Sequence, residues 1–144
     1  MDSSPGARLA TLLLGAFDAM VAQVVADLEE RGHPGVTATL EFALAAIADG
    51  AQDASALGRR LGVSKQAAAK TIATLEQLGY VHRESDPKDA RRKVLAVTSR
   101  GRDMTAIGAA RFDELRRRWS DAVGPERVAQ VEAALAVLAD GERP

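Results

Sequence analysis

Leu61-Gly62-Val63-Ser64-Lys65-Gln66-Ala67-Ala68-Ala69-Lys70-Thr71-Ile72-Ala73-Thr74-Leu75-Glu76-Gln77-Leu78-Gly79 is the stretch on which the reading of the chain turns. Gly62 closes a short helical piece, Ala54 to Leu61, because glycine takes the left-handed backbone that a tight helix exit needs. Ser64 stands at the N-cap of a second helix, where its hydroxyl can accept one of the unsatisfied amide hydrogens of the first turn. Lys65 to Leu78 then runs without a breaker to the stop at Gly79. On a helical wheel Ala68, Ile72 and Leu75 share one face, with Leu78 at its flank. Gln66, Lys70, Thr74 and Gln77 point the other way, and that polar face holds no acid. The small side chains of Ala67, Ala68 and Ala69 leave the first turns slim enough to enter a groove. This is the pattern of a helix-turn-helix whose second helix lies in the DNA major groove.

Working outward, Tyr80 to Glu84 and Lys93 to Thr98 read as two strands, rich in β-branched residues, with Val94, Ala96 and Thr98 alternating against Leu95 and Val97. The residues between them, Ser85 to Arg92, exceed the two-residue loops of tight hairpins and are expected to project from the body. Asp86-Pro87 starts a turn and the tip is basic. A hairpin beside a helix-turn-helix makes a winged helix, with Arg91 or Arg92 placed to enter a minor groove. Charge follows the same division. Residues 54–101 hold ten Lys and Arg against four Asp and Glu, whereas the remainder holds nine against sixteen. A basic block on an acidic frame is an electrostatic footprint for phosphates that the net charge of −1 conceals.

Leu61-Gly62-Val63-Ser64, Thr74-Leu75-Glu76-Gln77-Leu78-Gly79-Tyr80-Val81, Asp86-Pro87-Lys88-Asp89-Ala90-Arg91-Arg92 and Val97-Thr98-Ser99-Arg100-Gly101 together resemble the multiple-antibiotic-resistance regulator (MarR) family of bacterial winged-helix transcription factors. The most specific part is the wing pattern D-P-x-D-x-R, followed by a strand and a T-x-x-G helix start. The resemblance implies that Asp89 and Arg91 are the wing acid and wing arginine, the acid orienting the arginine toward DNA. It also implies that residues 64–74 form the recognition helix, that the chain is a homodimer, and that a small lipophilic or phenolic effector binds between the dimer helices and the winged helix. The motifs span roughly residues 37–118, and helix order and length extend the likeness to the whole chain. An aromatic is expected one position before Phe42, so the residues that would touch an effector stay unassigned.

The flanks are helical. With 29 alanines and few aromatics, 144 residues suit one mainly α-helical domain. Residues 1–5 read as a disordered lead. Residues 7–31 form a long helix striped by Leu9, Leu12, Leu13, Met20, Val24 and Leu28, ended by Gly32-His33-Pro34-Gly35. Thr37 starts another through Leu40, Leu44 and Ile47 to Asp49-Gly50. After Gly101 a helix striped by Met104, Ile107, Phe112, Leu115 and Trp119 runs to about Ala122, with Arg116-Arg117-Arg118 read as complementing its C-terminal dipole in preference to the alternative of contacting DNA backbone. Gly124-Pro125 separates the last helix, residues 126–139, striped by Val128, Val131, Leu135 and Leu138. The organisation expected is a winged-helix core at 37–101 within a single domain, with dimerisation helices at 7–31 and 102–140. Their stripes exceed what the small core can cover, so they want a partner, best a second copy.

The exclusions are brief. No cysteine is present, so there is no disulfide and no thiolate chemistry. His33 and His82 have no ligand-spaced partner, so no metal is expected and both read as ordinary turn and strand residues, although His82 beside Arg83 can reach a phosphate. No phosphate-cradling glycine motif and no nucleophile with a base is present, which argues against an enzyme or a bound cofactor. Arg8, Asp18 and Asp27 argue against a signal peptide or a membrane span, and the expected compartment is the cytoplasm. The reading is therefore a DNA-binding transcriptional regulator, a repressor, that takes a pseudo-palindromic double-stranded operator as a homodimer. Its candidate DNA-binding residues are Ser64, Lys65, Gln66, Ala68, Lys70, Thr71, Thr74, Lys88, Asp89, Arg91, Arg92 and Lys93. The alternative is a winged-helix protein-interaction module.

Overall fold

A computed structural model describes residues 4–141. Six helices and one hairpin follow in the order α1 (Pro5–Glu30), α2 (Ala38–Ala48), α3 (Ala54–Leu61), α4 (Lys65–Gln77), β1 (Val81–Asp86), β2 (Asp89–Val97), α5 (Ser99–Val123) and α6 (Pro125–Asp140). Five helix starts share one local cause: the side chains of Ser4, Thr37, Asp53, Ser64 and Thr98 each accept the backbone N–H three residues on. A cap of this kind contributes about 1 kcal/mol. The α6 helix starts instead with Pro125 in its first turn, after Gly124. Ser4 and Pro5 are thus structured, where a disordered lead was expected; residues 1–3 lie outside the described residues.

The core gathers the C-terminal part of α1 (Val24, Leu28), the inner face of α2 (Leu40, Leu44, Ile47), Leu57 of α3, Ala68, Ile72 and Leu75 of α4, then Tyr80, Leu95 and Met104. Gly62 takes the left-handed conformation at φ 70°, and Val63 N–H returns to the Gly58 carbonyl at 2.9 Å, so α4 leaves α3 after a turn of three residues. The amide of Leu95 donates to the Gln52 carbonyl at 2.9 Å, which pins β2 to the segment entering α3. The wing and the helix-turn-helix are therefore one rigid unit, built on a shared core.

The hairpin differs from the expected projecting loop. The strands pair from Val81 with Val97 through Ser85 with Lys93, and Asp86 then pairs with Asp89. Only Pro87 and Lys88 make the turn, with the Lys88 amide held by Asp86 Oδ1 at 2.9 Å. The register shift after Ser85 leaves Ala90, Arg91 and Arg92 outside the ladder as a bulge in β2. Strand pairing beyond the bulge, which residue type alone does not announce, is what shortened the loop.

The flanking helices keep much apolar surface uncovered. Leu9, Leu12, Leu14 and Phe17 of α1, Trp119 of α5, and Leu135, Val137 and Leu138 of α6 are all exposed. Helix α1 also contains an 18-residue window of mean hydropathy 1.9, long and apolar enough to cross a membrane by length and composition alone. Its few charges therefore do not make the exclusion expected of them. The Arg116 to Arg118 triplet does not serve the α5 dipole either, since the last turn carries no basic residue. Arg116 instead forms a two-pronged ion pair with Glu132 of α6, 2.9 Å at Nε, and Arg118 reaches Glu114 at 2.7 Å.

Candidate nucleic-acid interface

The outward face of α4 begins at its cap. Ser64 Oγ accepts the Ala67 amide at 3.0 Å, leaving its own hydroxyl hydrogen free. Lys65, Gln66 and Lys70 are exposed, and among the described residues none makes a side-chain hydrogen bond or ion pair. Thr71 and Thr74 are less available, because their hydroxyls donate to the Ala67 and Lys70 carbonyls of the preceding turn, each at 3.2 Å. Ala68 is a correction: it is wholly buried between α4 and the core, so it sets the helix's seat and cannot touch DNA.

The wing basics separate into anchored and free. Arg92 is anchored: its guanidinium donates to Asp53 Oδ2 at 2.6 Å and lies 3.9 Å from Asp86 Oδ2. Asp53 is also the N-cap of α3, so this pair ties the bulge to the helix-turn-helix. The Ala56 amide first, and then the Arg92 guanidinium, hold the Asp53 carboxyl below the usual carboxylate range against the opposing effect of burial. Lys93 donates to Ser85 Oγ across the hairpin at 3.1 Å. Asp89 Oδ1 accepts the backbone N–H of Arg91 at 3.1 Å, so it fixes the bulge backbone instead of gripping the guanidinium. Arg91 and Lys88 are exposed and have no side-chain partner among the described residues. On the other strand Arg83 donates to Glu76 of α4 at 3.2 Å, a second tie between the hairpin and the helix-turn-helix. His82 sits 3.2 Å from Glu84.

Behind this face lies a polar cluster that sequence reasoning missed. His33, expected as an ordinary turn histidine, is 3% exposed. Its Nδ1 is 2.9 Å from the Tyr80 hydroxyl and its Nε2 is 2.7 Å from Asp103 Oδ2. The Arg100 guanidinium stands 5.0 Å from the centre of the Tyr80 ring and donates to the Leu78 and Gly32 carbonyls at 3.1 and 3.2 Å. Burial raises the Tyr80 hydroxyl above its ordinary range, with the Arg100 charge opposing. The end of α4, the start of α5 and the turn after α1 are joined here, so the angle of α4 is fixed against the long helices. The only signal in the sequence was three polar residues, 33, 100 and 103, far apart along the chain. No cluster of three or more potential metal ligands exists among the described residues.

Residues 42–92 match the model of the MarR family. No curated protein matches the chain. Among solved structures, CouR from Rhodococcus jostii RHA1, bound to p-coumaroyl-CoA, is 21% identical with a TM-score of 0.73 over 99% of each chain. FabT of Streptococcus pneumoniae, in complex with DNA, is 19% identical with a TM-score of 0.72 over 91% of this chain and 92% of its own. A mutant of MepR from S. aureus, bound to an oligodeoxyribonucleotide, is 18% identical with a TM-score of 0.60 over 92% and 96%. At these identities the likeness establishes the fold, a winged helix.

Proposed function

We propose, from the premise that the winged-helix core of this chain is that of the MarR family, that the protein is a homodimeric repressor of transcription that binds a pseudo-palindromic operator. The observation that carries the reading is the set of free side chains. Lys65, Gln66 and Lys70 on α4 and Arg91 at the wing bulge are exposed without partners among the described residues, whereas Arg83 and Arg92 are tied to carboxylates that hold the wing in place. The anchored pair serves architecture and the free set serves DNA. In each subunit α4 enters the major groove and Arg91 the flanking minor groove, where a narrow A·T-rich groove attracts a guanidinium. Twofold symmetry then sets half-sites about 10 bp apart or a multiple of that.

The dimer is supported by the uncovered apolar residues of α1, α5 and α6, the chain's terminal helices. A second copy covering them keeps α1 in water-soluble protein, so we place the regulator in the cytoplasm. A small lipophilic or phenolic effector is supported by an open cleft of about 470 Å³ among α1, α5 and α6, lined by Met20, Phe112, Leu115 and Trp119. It is supported further by the ligand in CouR. Such a molecule releases DNA only by binding more tightly to a dimer whose recognition helices are wrongly spaced.

The deciding experiment is fluorescence anisotropy of the purified protein on DNA from upstream of its own coding sequence, across a salt series and against scrambled competitor. Expected is sequence-preferring binding whose affinity falls steeply with salt, because phosphate contacts release counterions. Binding that ignores both sequence and salt removes this reading and leaves a protein-interaction module. Within the same assay Arg91→Ala is expected to weaken binding by about tenfold and to flatten the preference for A·T flanks, the loss of one minor-groove contact. Unchanged flank preference would take the wing out of the mechanism.

A further inference from the structure

Glu41 belongs to neither the DNA face nor the polar cluster. It lies on α2 and is 5% exposed, and its Oε2 has no hydrogen-bond partner among the described residues. Its other oxygen rests against Gly108, a buried position in the middle of α5 where any Cβ would overlap Glu41 Oε1. The seam so formed joins the helix that begins the winged-helix unit to the long helix that leaves it. One residue on, Phe42 stacks between Phe17 of α1 and Phe112 of α5, with ring centres 5.9 and 6.2 Å away, and Phe112 is one turn of α5 from Gly108. A lone carboxyl in a glycine notch, beneath an aromatic stack, has no packing reason to be there. A leucine would fill the space without the penalty of an unpartnered polar atom.

Of the charged groups on the surrounding elements, Arg60 of α3 pairs with Asp49, Glu76 of α4 with Arg83, and Arg92 of β2 with Asp53, while Arg59 of α3, Lys65 and Lys70 of α4 and Arg91 of β2 are exposed. On α5, Asp103 meets His33 and Arg111 meets Glu114 and Gln23, while on α1 Asp27 meets Arg31. None compensates a charge on Glu41. Burial alone pushes its carboxyl above the ordinary range.

We propose that Glu41 is a proton-operated latch on the seam between α2 and α5. Uncharged, it seats against Gly108 and holds the DNA-reading unit at one angle to α5. When its O–H bond gives the proton to water, the carboxylate has to leave the seam to be hydrated, and α2 loosens from α5. The second step, control of operator affinity by that angle, rests on the DNA-binding reading above, because a released seam spreads the two recognition helices over many spacings and only one fits the operator.

The sign follows from linkage. A carboxyl raised in the folded state contributes its full stability below the ordinary carboxylate value, and that stability is lost as pH rises from there through the raised value. Melting, operator affinity and hydrogen exchange of the α2 amides are measured from about pH 5 to about pH 8 for the full chain and for Glu41→Gln, which keeps the shape and cannot ionise. Expected is a wild-type folding constant that drops more steeply with pH than that of the glutamine variant, by up to about tenfold per pH unit, the limit for one linked proton. Operator affinity falls in the same direction, and α2 exchange in the wild type outpaces that of the variant as pH rises. Equal slopes in melting overturn the latch, as do equal slopes in operator affinity beside unequal melting, which would leave Glu41 a stability defect only. No operator binding at any pH overturns the DNA reading instead, and α2 exchange then decides the latch alone. If the glutamine variant does not fold, carbon-13 titration of the wild-type glutamate carboxyls decides: Glu41 titrating above the exposed glutamates supports the latch, and titrating with them overturns it.

Discussion

Gly101→Ala is expected to cost about 3 kcal/mol, the upper end for forcing extra volume into a packed site, and to lower Tm by about 10 °C in a domain of this size. Gly101 sits in the first turn of α5, where Thr98 Oγ1 accepts its amide at 3.0 Å. A Cβ there would run into the Tyr80 carbonyl oxygen and stand 2.7 Å from Val97 Cγ1. Neither can yield cheaply. The Tyr80 carbonyl already accepts the Thr98 amide at 3.0 Å, and Tyr80 itself is wholly buried with its hydroxyl in the His33 cluster. Backing α5 away to make room would break the cap, the cluster and the end of the hairpin together. Gly15→Ala in α1 is the control, since nothing lies within 4 Å of the added Cβ and alanine is favoured in a helix interior by up to about 1 kcal/mol. Thermal melts at one protein concentration compare the two. Similar melting for Gly101→Ala and wild type would show that α5 is not held to the wing by this close approach.

The same neighbourhood shows what a sequence declares and what it hides. Caps and stops are local, so Thr37, Ser64 and Thr98 and the glycines at 62 and 79 announced their helix ends within a residue or two. The face of α4 was legible because a periodic pattern decides it, and the burial of Ile72 and Leu75 follows that pattern. Ala68 lies on that apolar face too, and placing it among DNA contacts overrode the very periodicity that located it. Contacts between distant residues carry no such signature. Arg91 and Arg92 are adjacent and identical in type, yet the bulge sends one to Asp53, 39 positions away, and leaves the other free. His33 looked like a turn residue because its partners, Tyr80 and Asp103, are 47 and 70 positions off. Glu41 carried no local mark of its burial either, because the glycine set against it, Gly108, lies far along the chain.

The anchored residues also explain how a protein of net charge −1 can present a basic face. Ion pairs at half-exposed sites add little stability, about 0–1 kcal/mol each. Their effect here is positional: Arg83 to Glu76 and Arg92 to Asp53 spend two arginines to set the wing beside α4. Lys65 and Lys70 on α4 and Lys88 and Arg91 on the wing are left exposed and unpaired among the described residues. On the proposed DNA-binding reading, the acidic residues elsewhere would repel DNA from the rest of the surface and orient its approach.

That division of labour predicts two different failures within α4. Gln66→Ala is expected to relax specificity at one operator position, because an amide that donates to and accepts from adenine discriminates by about 1–3 kcal/mol, or roughly 5- to 150-fold. Binding to an operator already altered at that base should change little. Lys70→Ala is expected to weaken binding to every sequence alike and to reduce the slope of log affinity against log salt by about 1 per subunit contact, as one phosphate loses its cation. The exposed positions of both side chains, one turn apart on a helix whose opposite face is buried, make these separable tests. Anisotropy titrations against an operator series with single-base changes, each at several salt concentrations, read both. Should Gln66→Ala lower affinity equally for all members, Gln66 contacts the backbone and the base reading passes to Lys65 or Ser64. Should Lys70→Ala leave the salt slope intact, α4 is not the element against the phosphates, and the docking of the winged helix has to be redrawn around the wing.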